Sequence, residues 1–255
     1  FQDEDPFYAA SLENNPNSDQ DGFDSVAEEL GFDANVQQYL FNQDRRVKSN
    51  QLDAKLDYYY ILNQKSNINF VGGSILSKQN FDSRFYQILD NNSEFDPNLN
   101  IPGITNTNTT NDTEYNFTDI YAGLRYRLKS GIFTFTPGFT AHAYNINNNQ
   151  FGDSEKFEDT FQKFLPEFEM ILQFKKSESL QLRYSQQVNF TDVNQLAKGL
   201  VANSYNNFFY GNNNLTNGTN HRSSIKYSSF NLYNGTNMFA LLRYTKSIDQ
   251  IGSVA

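Results

Sequence analysis

Over residues 180–185 hydrophobic and polar positions alternate with a period of two. Leu180, Leu182 and Tyr184 interleave with Gln181, Arg183 and Ser185, the pattern of a half-buried strand. Together with 164–174 and the turn at 175–179 this predicts one hairpin. A second is predicted from 221–230, a turn at 231–237 and a return over 238–247, where Met238, Ala240, Leu242 and Tyr244 share a face. The polar loop between the hairpins runs to about thirty residues, longer than compact domains usually tolerate.

Upstream the pattern repeats twice. Leu52, Ala54, Leu56, Tyr58, Tyr60 and Leu62 oppose Asp53, Lys55, Asp57 and Tyr59, and after a turn at 63–66 the chain returns with Ile68, Phe70, Gly72 and Leu76. Ile120, Ala122, Leu124, Tyr126 and Leu128 oppose Tyr121, Gly123, Arg125 and Arg127. Past the turn at 129–131 come Phe133, Phe135, Pro137, Phe139, Ala141 and Ala143, opposing Thr134, Thr136, Gly138, Thr140, His142 and Tyr144. Pro137 lacks a ladder donor, so a bulge or break is expected there. Val36, Tyr39 and Leu40 have helical spacing and predict a short helix. Residues 77–115 and 145–163 are predicted as long loops, with Phe81, Phe85 and Tyr86 expected to pack as a local cluster, facing a ligand being the alternative.

The census is eight strands in four hairpins, with short turns at one end and long loops at the other. That asymmetry belongs to a transmembrane β-barrel. Apolar faces of about nine to eleven residues suffice to cross a bilayer when tilted. Tyr58, Tyr60, Tyr126, Tyr184 and Tyr244 fall near strand ends, where aromatic girdles sit. A soluble sandwich would also show one apolar and one charged face; the loops favour the membrane.

Composition sharpens this reading. Tyr 16 and Phe 24 without Trp describe a strand-forming chain, and no apolar run reaches the ~18 residues of a membrane helix. With no Cys there are no disulfides or thiolate metal sites. The start at Phe1, the lack of a signal segment and the stop just after a strand lead us to expect a piece of a longer mature protein; a trimmed complete domain is the alternative.

The net charge of −9 is unevenly placed. Residues 1–44 hold 11 of the 29 acids and no Lys or Arg, and 29 less these 11 leaves 18 acids against 20 bases elsewhere. Residues 17–28 match a calcium loop, with Asn17, Asp19 and Asp21 at the first, third and fifth positions and Gly22 at the sixth. Phe23 would offer its carbonyl, and Glu28 both carboxylate oxygens. Ser25 and Glu28 have capping-box spacing, and Gly31 could end a short exiting helix. Asn17 in place of Asp lowers the expected affinity, and a solvated acidic loop without metal is the alternative. The expected division is an acidic extracellular loop segment over 1–46 and barrel strands over 47–255.

A series of short motifs carries a resemblance. Leu165-Pro166-Glu167, then Leu180-Gln181-Leu182-Arg183-Tyr184-Ser185, Asn194-Gln195-Leu196, Tyr210-Gly211-Asn212-Asn213-Asn214-Leu215 and Ile248-Asp249-Gln250-Ile251 resemble, in this order, the barrel of TonB-dependent outer-membrane receptors, closest to the Bacteroidetes type. Thr136-Pro137-Gly138-Phe139 resembles a recurrent strand of that barrel. The likeness covers about residues 47–251. Asn213 and Asn217-Gly218 depart from the pattern, where the family often has Pro after Gly-Asn and a Pro-Glu pair.

The resemblance implies an all-β fold, these strands being part of an antiparallel barrel of about 22, with short turns in the periplasm and long loops outside. It implies an outer-membrane receptor that imports a nutrient such as a glycan, peptide or siderophore. Its partners would be outer-membrane lipid, the TonB system through a plug domain not in this chain, the small nutrient ligand and a surface lipoprotein. Asp53, Lys55, Asp57, Arg125, Arg127 and Arg183 would line the lumen, and a Ca2+ ion at 17–28 would stiffen an outer loop. The alternatives are a barrel acting in adhesion or assembly without transport, and a soluble glycan-binding sandwich. An enzyme is not expected: His142 and His221 have no Ser or carboxylate constellation around them, and Glu28/Glu29 and Glu167/Glu169 read as surface pairs. Acidity and the lack of a basic patch count against nucleic acid as a partner.

Overall fold

The computed structural model describes residues 2–4, 7–13, 31–33, 35–36, 38–97, 109–151, 156–191, 193–196, 198–204, 207–212, 215, 217–231 and 233–249. The calcium-loop motif at 17–28 lies outside them. In chain order the elements are β1 (Gln2–Glu4), β2 (Phe7–Glu13), β3 (Gln38–Asn63), β4 (Ser66–Ile88), β5 (Glu94–Phe95), β6 (Thr110–Ser130), β7 (Phe133–Gln150), β8 (Lys156–Lys175) and β9 (Glu178–Asn189). One helical turn, α1 (Val193–Leu196), and a small hairpin, β10 (Leu200–Ser204) with β11 (Asn207–Tyr210), precede β12 (Gly218–Asn231) and β13 (Thr236–Ile248).

Long strands follow each other across one antiparallel 11-stranded sheet in the order β3-β4-β6-β7-β8-β9-β12-β13. β1 and β2 pair successive stretches of β3, and β5 pairs the end of β4. The eight long strands are the four hairpins that the alternation predicts. Their turns have local causes. Asn63 Oδ1 accepts a hydrogen bond from the Lys65 amide at 2.8 Å, which folds the β3–β4 corner, and Gly131 supplies φ 57° between β6 and β7.

At Pro137 the β6–β7 ladder lapses and then resumes unshifted, with Arg125 opposite Gly138 and Leu128 opposite Phe135. On its other side Pro137 faces Phe168 in an unbroken ladder. The missing amide interrupts pairing along one edge, and no bulge forms.

Three expectations are corrected. The short helix expected from Val36, Tyr39 and Leu40 gives way to β3, which starts at Gln38; there Tyr39 and Phe41 are buried and Phe41 stacks on Phe85 with ring centres 5.8 Å apart. Ladders to β2 and β4 satisfy the backbone on both edges, which a single helical turn could not do. The loop expected over 77–115 is β4 as far as Ile88 and β6 from Thr110. The loop expected over 145–163 is β7 to Gln150 and β8 from Lys156. β3 also runs unbroken through the expected division at 46/47.

The sheet is single and open, with β13 paired to β12 alone among the described residues. A sandwich would pack a second large sheet on it, and the only other sheet described is the two-stranded β10–β11 hairpin.

Candidate functional site

Register sorts the side chains onto two faces, because residues directly opposite in a ladder share a face. One row reads Leu56, Gly72, Ala122, Ala141 and Phe164, and another Phe135, Met170, Leu182, Ile225 and Leu242. This face is apolar yet uncovered: Leu56 is 73% exposed and Leu242 66%. Large apolar side chains left bare on a whole face mark contact with lipid.

Opposite that band is a polar wall. Lys55 Nζ lies 2.8 Å from Asp57 Oδ2, and Asn69 donates to Asp57 Oδ1 at 3.4 Å. Arg125 donates through Nη1 to Asn69 Oδ1 at 3.4 Å and through Nε to Glu167. Farther along, Glu169 Oε1 accepts from Arg183 Nη2 at 2.5 Å and from Gln181 Nε2 at 2.6 Å. His142 Nδ1 sits 2.9 Å from Asp119 Oδ1, and its ring stacks between Tyr121 and Tyr144 with centroids 5.2 Å away on each side. Asp53 and Arg127 belong to the same face by register. Most carboxylates and cations of this wall thus neutralise each other in pairs along β3 to β9, while Asp53 and Arg127 meet no opposite charge among the described residues.

Toward the loop end the two faces exchange character. In β4 the large exposed apolar side chains, Phe70 and Leu76, stand at even positions, whereas Phe81 and Phe85 at odd positions are fully buried. β6 makes the same change between Ile120 and Phe117–Tyr115, and β7 between Ala143 and Ile146. The outer face there is charged. Lys78 meets Glu114 at 2.7 Å, Arg46 meets Asp3 at 3.2 Å, and Arg84 bridges Glu94 and Asp96 at 2.6 and 3.0 Å. The Lys78 hydrogen bond, helped by Asn116, holds the Glu114 carboxyl below its ordinary pKa, while burial and then the neighbouring Asp112 push Asp82 up.

The inner face of these extensions is covered by the described residues between 190 and 217. Val193 and Leu196 of α1 and Val201 of β10 form a buried core with Phe81, Tyr115 and Ile146, against which Phe117, Phe157, Phe161, Phe190 and Leu215 pack. Polar anchors fix the segment: Gly199 donates its amide to Asn111 Oδ1 at 2.6 Å, and Lys198 donates to Gln150 Oε1 at 2.8 Å. A switch of apolar phase along the strands therefore has a partner, a folded cap on the face opposite the lipid band.

Residues 8–254 match the model of the outer membrane protein beta-barrel family. The chain belongs to that family. It is accordingly an outer-membrane β-barrel segment, with its apolar band in the lipid and the paired charges on the lumen side. Among solved structures it is similar to a chain of the FpvAI–pyocin S2 complex (TM-score 0.52, 13% identity, covering 82% of this chain and 25% of that one). It is also similar to the ferric citrate transporter FecA in its unliganded form (TM-score 0.44, 11% identity, covering 82% of this chain and 32% of that one). The chain thus spans a quarter to a third of the length of these solved proteins. No curated protein matches it.

Within this barrel segment Asp53, Lys55, Asp57, Arg125, Arg127 and Arg183 share the face opposite the lipid band, as the alternation together with the resemblance leads one to expect. Glu167 and Glu169, read from the sequence as an ordinary surface pair, are the counter-charges of Arg125 and Arg183. His221 faces the lipid side and bonds the Tyr184 hydroxyl at 2.9 Å. Tyr58, Tyr60 and Tyr126 lie toward the turns on the lipid face, whereas Tyr184 and Tyr244 share a row farther in. The cap and the Asp119–His142 pair were not foreseen. Phe190, Val193, Leu196, Leu200 and Val201 were the available signal, an apolar series inside an otherwise polar loop.

Proposed function

We propose that this chain is the barrel portion of a TonB-dependent receptor of the Bacteroidetes type, importing a scarce nutrient across the outer membrane. The observation that carries the reading is the combination on one face of a charged, pairwise-neutral wall and a folded cap at its loop end. A polar wall suits a water-soluble cargo, and a cap held by one small core and a few amide hydrogen bonds suits an entrance. In this reading the strands form part of a barrel of about 22, short turns face the periplasm and 190–217 lies at the outer mouth. A plug domain elsewhere in the parent protein couples to the TonB system, a surface lipoprotein assists capture, and residues 17–28 hold Ca2+ in an outer segment. The family membership, the motif order and the luminal charges support it.

Deletion of the parent gene tests it. The strain is grown on single limiting iron sources, oligosaccharides and peptides, and uptake of the affected nutrient is followed with and without an uncoupler. Energy-dependent uptake lost on deletion and restored by the gene supports the receptor. Normal uptake of every nutrient together with lost surface attachment would favour an adhesion or assembly barrel instead.

A further inference from the structure

The carboxylate–cation pairs of the luminal wall end at β9. Neither β12 nor β13 contains Asp or Glu, and both carry Arg on the luminal side. Arg183, Ser224 and Arg243 stand opposite one another in one row, and Ser185, Arg222 and Thr245 form the adjacent luminal row. Arg222 and Arg243 are exposed and meet no carboxylate among the described residues, whereas Arg183 is held by Glu169 through Nε and Nη2. The three guanidiniums surround Ser224 in a groove of about 530 Å³ that also includes Ser185 and Thr245.

Strands lie ~4.8 Å apart, so side chains as long as Arg on three neighbouring strands converge on one small ligand. A guanidinium keeps its charge at every physiological pH and offers a planar fork that fits carboxylate and phosphate oxygens. On the polar wall of a barrel, two guanidiniums brought together without a counter-charge favour an anion at that place. The flanking hydroxyls supply donors of adjustable direction.

We propose that Arg183, Arg222 and Arg243 form an anion site on the luminal wall that takes a carboxylate or phosphate group. It rests on the barrel reading above and adds the chemical class of the occupant. Two sources can present that group: a solute in the lumen, or carboxylate side chains of the protein's own segments inside the barrel.

The test uses the natural full-length protein purified from the outer membrane, its R222Q/R243Q variant and the charge-conserving R222K/R243K variant, with sodium phosphate and sodium succinate as calorimetric probes. A solute site binds at least one probe saturably, R222Q/R243Q weakens binding by about tenfold or more, and R222K/R243K restores part of it. A site filled by the protein's own carboxylates binds neither probe, and R222Q/R243Q then lowers the unfolding temperature at low salt but not at high salt. A variant with unchanged unfolding temperature, in a wild type that binds neither anion, overturns the proposal. Heat-modifiable migration of the same samples separates the two failures: if it is present, only the anion site falls, and if it is absent the barrel reading falls and the site with it.

Discussion

Arg125 of β6 and Glu167 of β8 pair across an intervening strand, directly over the bare backbone of Gly138. A Cβ on Gly138 would stand 2.8 Å from Arg125 Cγ and 3.1 Å from Glu167 Oε1. Glycine there is what lets two strands of the wall neutralise each other over a third. Gly138→Val should cost about 1–3 kcal/mol by overpacking, and less when Arg125 is also shortened to Ala. Unfolding of the two single variants and the double variant measures that coupling; strict additivity would show that the pair does not need the glycine.

The lipid band gives a second expectation. Leu56→Arg should destabilise the inserted barrel by about 2–4 kcal/mol near the bilayer midplane, while Lys55→Gln, one residue away on the luminal face, should cost far less. Refolding into lipid vesicles over a denaturant series compares them. Equal costs would contradict the assignment of faces.

For the cap, Leu196→Ala should cost about 2–5 kcal/mol of local stability, because Leu196 is fully buried against Phe81, Tyr115 and Ile146. Limited proteolysis should then cut within 190–217 while the strands stay protected and heat-modifiable migration is unchanged. Protection of the segment equal to wild type would argue against a cap held by this core.

Two carboxyls of the extensions should respond oppositely to pH. Glu114 is depressed by Lys78, so its contribution is present above the ordinary glutamate pKa and is lost as pH falls through the lower folded value. Asp82 is raised, by burial first and by Asp112 next, so its ionised form opposes folding. That penalty applies above the raised folded pKa and is relieved as pH falls through it. Asp82→Asn should therefore stabilise the protein at neutral pH and reduce any gain on mild acidification, whereas Glu114→Gln should destabilise at neutral pH. Melting temperatures between pH 3 and 7 read both signs, using this range as roughly that over which carboxyls titrate.

The acidic segment carries its own expectation. Calcium should protect 17–28 from proteolysis, and Glu28→Gln should weaken that effect by removing the bidentate ligand. Cleavage that ignores calcium would leave the solvated acidic loop.

How far the sequence discloses all this depends on phase. The hairpins were legible because Leu52–Leu62, Ile120–Leu128 and Met238–Tyr244 each keep one apolar parity over a whole bilayer crossing. The extensions were not, since beyond Leu76 the large apolar residues move to the odd positions Phe81 and Phe85, and the even positions Lys78 and Asn80 read as a loop. Alternation places Arg125 and Arg183 on the polar face, and the resemblance turns that face toward the lumen. Their partners could not be assigned, because the Arg125–Glu167 and Asp119–His142 contacts depend on register between strands, which no single strand encodes. Arg222 and Arg243 were obscured in the same way, being separated in sequence by a turn and brought to adjacent rows only by pairing.

The most direct test of the central claim is a spin-label scan of β3 and β4 in the natural protein in lipid, exploiting the absence of cysteine from this chain. Single labels at each position from Leu52 to Tyr60 and from Ile68 to Phe85 are tested for collision with oxygen, which partitions into lipid, and with a water-soluble nickel chelate. The account predicts oxygen contact at even positions and nickel contact at odd ones through Leu76. Beyond it, the even positions Lys78 and Asn80 should meet nickel while Phe81 and Phe85 meet neither. Nickel contact on both faces throughout, or one unbroken alternation as far as Phe85, would contradict a lipid-facing band that gives way to a capped extension.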